Sequence, residues 1–110
     1  MDTTNGICLR FYVAEKRRHR GLLLHEWLLE QAVQLGLRGG SAFRAIAGFG
    51  RDHRLHEQQF FELAGDTPIE VVFFVDGEEE ARLTRLIEAE GISLFFARHA
   101  AEFGVINPNV

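Results

Sequence analysis

The sequence predicts an α+β fold of order βαββαβ, the ferredoxin-like sandwich, in which two helices cover one face of a four-stranded sheet. Three observations carry this. Residues 7–13 and 69–75 are apolar at strand length, residues 24–35 and 83–87 carry apolar side chains at helical spacing, and a glycine follows each helical run (Gly36 and Gly91). The 110 residues suit one domain, read as 1–110 with a core of about 7–98 and an irregular C-terminal tail.

The elements follow in order. Ile7, Leu9, Phe11 and Val13 share one face at period 2, a first strand, and the charged stretch Glu15 to Arg20 reads as a loop. Leu24, Trp27, Leu28, Ala32 and Leu35 form the stripe of the first helix, with Gly36 as its stop. Ser41 to Gly48 reads as a second strand. Leu55 to Leu63 is either its returning partner or part of a long hairpin. Ile69 to Val75 is the clearest strand. Asp76 is placed as the N-cap of the second helix with Glu79 at the capping-box position, and Glu78, Glu79 and Glu80 sit at the positive end of its dipole. Ile92 to Ala97 is a last strand, and Phe103 to Val110 an irregular tail.

Two helices cover one sheet face, so the other should alternate toward polar residues if it meets water. It does not. Val71 to Val75 and Leu94 to Phe96 are apolar on both sides, and Cys8 and Tyr12 add bulk opposite the Ile7 face. Such a face exceeds what monomers expose, and association of copies through the sheet is expected. The alternative is a single chain whose tail, Ala100 to Val110, folds over that face.

Charge is unevenly spread. The net charge is -4, yet residues 1–55 carry +4 and residues 56–110 carry -8; of twelve basic residues, only Lys16 is lysine. Arginine suits bidentate contact with phosphate or carboxylate. The alternative is that these arginines pair with the acids of the other half. The acidic total disfavours nucleic acid as a partner. Ala47-Gly48-Phe49-Gly50 echoes an RNA-binding aromatic motif, but Arg51 and Asp52 stand where its aromatic and apolar residues belong. With no apolar run near ~20 residues and no basic-then-apolar leader, a cytoplasmic protein is expected.

Catalytic signals are thin and no enzyme is expected. Cys8 lies mid-strand among apolar neighbours, Ser41 and Ser93 lack a nucleophile elbow, and His19 and His25 read as solvent-facing. His53, His56 and Glu57 are a metal-ligand alternative for zinc or copper, weakened because residues three apart on a strand point to opposite faces. The informative stretch is Gly36 to His56. Its glycines permit close backbone approach, and Arg38, Arg44, Arg51 and Arg54 stand around them, a candidate site for a phosphate or carboxylate. A glycine-bounded hairpin with solvated arginines is the alternative.

Leu9 to Val13, Gly36 to Gly39, Arg44 to Gly50, Arg54-Leu55-His56 and Asp66 to Val71 occur in an order that resembles domain-of-unknown-function family 190, relatives of the PII signal-transduction proteins. The resemblance covers about residues 7–98. It implies a ferredoxin-like PII-like trimer with the sheets inward and sites between subunits. It also implies a small anionic effector such as ATP or ADP, held at the base of a target-contacting loop. On that basis Arg44, Gly48, Phe49, Gly50, Arg51 and Arg54 are ligand-binding candidates. Asp52, His53, His56, Glu57, Gln58 and Gln59 form the loop that would meet a partner protein such as a membrane transporter. Where PII proteins carry a G-D-G-K phosphate loop, this chain has Glu88-Ala89-Glu90-Gly91-Ile92. A purely structural oligomerisation module is a further alternative.

Overall fold

The structure, a computed structural model, describes residues 1–49, 56–57 and 67–110. Strands β1 (Asp2–Ala14), β4 (Gly40–Arg44), β7 (Pro68–Val75) and β8 (Phe95–Val105) form one antiparallel sheet in the order β4-β7-β1-β8. Helices α1 (Leu24–Gln34) and α2 (Gly77–Ala89) pack on one face, giving the expected ferredoxin-like arrangement. Leu9, Phe11, Val13, Ile69, Val71, Phe73 and Val75 point to that face. They bury against Leu24, Trp27, Leu28 and Ala32 of α1 and Leu83 and Ile87 of α2.

Both helix ends are built as the residue types require. The N-cap Asp76 accepts from Glu79 N at 2.9 Å while Glu79 Oε1 accepts from Asp76 N at 2.9 Å, a reciprocal capping box. Gly36 and Gly91 adopt φ of 79° and 68°, which a side chain would resist. Behind them Leu37 N donates to Ala32 O at 3.0 Å and Ile92 N to Ile87 O at 3.4 Å, so each helix closes in a Schellman turn.

Three elements differ from the sequence expectation. The charged stretch after β1 is not all loop: β2 (Arg18–His19) pairs with β3 (Leu22–Leu23) around Arg20 and Gly21, both at positive φ. That mirror-image turn matches strand twist, and no apolar alternation announces strands of two residues. The second strand breaks after Arg44 and resumes as β5 (Ala47–Gly48), which pairs with β6 (His56–Glu57). The expected return strand over 55–63 otherwise lies outside the described residues. The last strand starts at Phe95, not Ile92, and runs to Val105, so the tail expected to be irregular from Phe103 is strand for three more residues. Its partner is the polar run Asp2 to Gly6, which extends β1 ahead of its apolar part; Asp2 pairs with Val105 and Gly6 with Ala101. Backbone pairing decides this ribbon, and hydrophobic periodicity is blind to it.

Of the tail, Ala100 to Val105 lie within the sheet as part of β8, and Ile106 to Val110 are exposed. On the second sheet face Tyr12, Phe43, Phe74 and Phe95 are exposed and Cys8 is buried between strands. Tyr12 packs on Phe95 and Phe74 on Phe103, with ring centroids 5.7 Å apart in both pairs.

Candidate functional site

The candidate ligand residues begin where β4 ends. Arg44 is the last residue of β4, in register with Ile69 of β7. One residue on, Ala45 N donates to Pro68 O at 2.9 Å, and on the other side Glu15 N donates to Thr67 O at 2.7 Å. The backbone entering the segment after β5 and the backbone leaving it are thus clamped together at the sheet edge. Gly48 pairs with His56 and Ala47 with Glu57 to continue this stem, while Phe49 is exposed beyond it.

Arg44 Nη2 is engaged by the Glu15 carboxylate, and the guanidinium holds that carboxyl below the usual carboxylate range. Thr67 is fully buried here, and the Nδ1 of His25, on α1, is buried nearby. Among the described residues neither Thr67 Oγ1 nor His25 Nδ1 makes a hydrogen bond of ordinary geometry. Thr67, and less strongly His25, add to the lowering of the Glu15 carboxyl. Of the predicted ligand set, Arg44, Gly48 and Phe49 sit at or beside this stem. Gly50, Arg51 and Arg54 lie outside the described residues, as do Asp52, His53, Gln58 and Gln59 of the partner loop. The same holds for His53 of the metal alternative. Among the described residues no three metal-ligating side chains cluster.

Arg38 does not join Arg44. It stands before β4, at the opposite end of the strand, and is committed to carboxylates: Nη2 reaches Glu79 Oε1 at 2.7 Å and Asp76 Oδ2 at 3.2 Å. Its guanidinium also lies 5.2 Å from the Phe103 ring centroid. It borders a cavity of about 690 Å³ on the open sheet face with Thr4, Ser41, Phe43, Phe74 and Phe103. Gly40, next to it, serves packing: a Cβ there would meet the Phe73 ring at 2.5 Å. A buried aromatic, rather than a ligand, explains this glycine.

The charge asymmetry resolves the same way. Arg10 meets Glu70 at 3.1 Å and Arg20 meets Glu90 at 2.5 Å, so these arginines, with Arg38, pair with acids of the C-terminal half. His19, expected to face solvent, instead packs edge-on to Trp27 at 4.7 Å and reaches Glu90 at 3.1 Å. Sequence reading missed Glu15 as the partner of Arg44. A single acid flanking a strand end was the only available signal.

The fold is that of the PII-like signalling proteins. Over 94% of this chain and 92% of the other, it matches the nitrogen regulatory PII-like protein CPII of Thiomonas intermedia K12, solved with ADP, AMP and bicarbonate (TM-score 0.65, 19% identity). A structure of CPII bound to ADP and bicarbonate matches over 94% of this chain and 93% of that one (TM-score 0.61, 20% identity). The chain belongs to the DUF190 family ("Uncharacterized ACR"), whose model matches residues 6–90. The UPF0166 protein of Aquifex aeolicus (strain VF5) is 35% identical over 80 residues, 73% of each chain. No helix among the described residues is long and apolar enough to cross a membrane.

Proposed function

We propose that this chain is a cytoplasmic, non-catalytic PII-like signalling subunit. It assembles as a homotrimer through its open sheet face and binds a small anionic effector, an adenine nucleotide, between protomers at the stem that carries Arg44, Gly48 and Phe49. Gly50, Arg51 and Arg54 extend that site. The segment from Asp52 to Gln59 passes the bound state to a target protein, a membrane transporter being one such target. Ordering a segment by charge-assisted contacts is a general switching mechanism.

The observation that carries the reading is the exposed aromatic face of Tyr12, Phe43, Phe74 and Phe95 on a sheet whose other side is already filled. A face of this kind is covered by association. The nucleotides bound by CPII, which shares the fold, support the choice of ligand. Titration calorimetry with ADP, AMP and ATP, alongside light scattering, tests it. A trimer that binds one of these, with affinity reduced in Arg51→Ala, is expected. Absence of binding by all three, or unaltered affinity in Arg51→Ala, counts against it.

A further inference from the structure

Arg44 is the one arginine of the predicted ligand set among the described residues, and its guanidinium is already engaged by the Glu15 carboxylate. Glu15 does more than neutralise it. The same residue donates its backbone N–H to Thr67 O at 2.7 Å, where the chain returns to the sheet. One residue therefore grips both the cation at the start of the stem and the backbone at its close. Its side chain is three-quarters buried while that of Arg44 is about half exposed, so the arginine is the partner a solute reaches.

We infer that Glu15 is a built-in competitor for the effector: its carboxylate occupies the Arg44 guanidinium in the empty site, and an incoming phosphate or carboxylate takes its place. Both anions present acceptor oxygens to the same fork of donors, so one guanidinium edge serves one of them at a time. The displaced carboxylate keeps a neighbour in Thr67, whose side chain also favours the charged form of Glu15 and whose buried Oγ1 has no other partner among the described residues. Exchange at Arg44 thereby alters the Glu15–Thr67 side of the stem, the point from which the following strand β7 departs. Effector affinity is set by a difference between two anions rather than by Arg44 alone.

The inference rests on Arg44 contacting the effector, and its test separates the two. ADP is titrated calorimetrically into the full-length wild type and the variants Glu15→Gln, Glu15→Asp, Arg44→Gln and Glu15→Gln/Arg44→Gln, with thermal melts confirming folding. A solvent-accessible ion pair is worth roughly 0.2–1 kcal/mol, so removing the competing charge should tighten ADP binding by about 1.4- to fivefold. Arg44→Gln should weaken binding and cancel the gain from Glu15→Gln; Glu15→Asp, which keeps the charge on a shorter side chain, should fall between wild type and Glu15→Gln. Wild-type binding that Glu15→Gln leaves unchanged or weakens overturns this inference alone. Binding by no variant, wild type included, overturns the proposed function and this inference with it.

Discussion

Arg38 Nη2 lies 2.7 Å from Glu79 Oε1, joining residues 41 positions apart. Glu79 is almost fully buried and is also the capping-box residue of α2, so this single contact ties the helix start to the chain entering β4. Phe103 lies under the same guanidinium, and the end of β8 is brought into the cluster.

Replacing Arg38 by alanine leaves the buried Glu79 carboxylate without its cation, a recognised source of large destabilisation. A fall of several degrees in melting temperature is expected in calorimetry. Arg38→Lys should recover less than half of it, because an ammonium cannot span Glu79 and Asp76 as the fork does.

Acid stability should depend on Glu90. Arg20, and then His19, hold its carboxyl down to about 2 from an ordinary 4.5. A carboxylate with a depressed pKa in the folded chain stabilises fully above its unfolded value. That contribution is lost as pH falls from about 4.5 toward about 2. Urea denaturation across this range should show a shallower acid decline in Glu90→Gln than in wild type. Added salt should shrink the difference, since Arg20 is largely exposed.

Gly40→Ala should destabilise the fold by roughly 1–3 kcal/mol through overpacking against Phe73. Its Cβ would approach the ring at 2.5 Å, and the ring is fully buried. Denaturant midpoints measure this. Because Gly40 is assigned to packing, ADP affinity of the folded variant should be unchanged.

Phe74→Glu places a charge in the middle of the open face at a residue that is already 45% exposed, outside the core. Light scattering at micromolar concentration should show the wild type as a multimer and this variant as single chains. Circular dichroism should report the same fold for both. A multimeric variant would remove the sheet face as the assembly surface.

Much of this architecture was legible because its signals are local. The helical stripe from Leu24 to Ala32, the Asp76/Glu79 capping box and the glycines after each helix act within a few residues, and each appears where the pattern places it. The β2–β3 hairpin and the far half of β8 were not legible. The first is two residues long on each side, too short for a period to show, and the second rests on backbone pairing between mostly polar or small residues such as Asn5 and Glu102. Arg38 and Arg44 looked like one cluster because they are near in sequence, but an extended strand sets them at opposite ends.

From residue order alone came the strand and helix sequence, the apolar sheet face turned away from the helices, and the excess of arginine in one half of the chain. Which acid each arginine meets came only with the fold. Glu90 lies 70 residues from Arg20 and Glu79 lies 41 from Arg38. Such pairs exist because strand register and helix packing bring distant backbone together, and charge attraction at a few ångströms depends on that placement rather than on spacing along the chain.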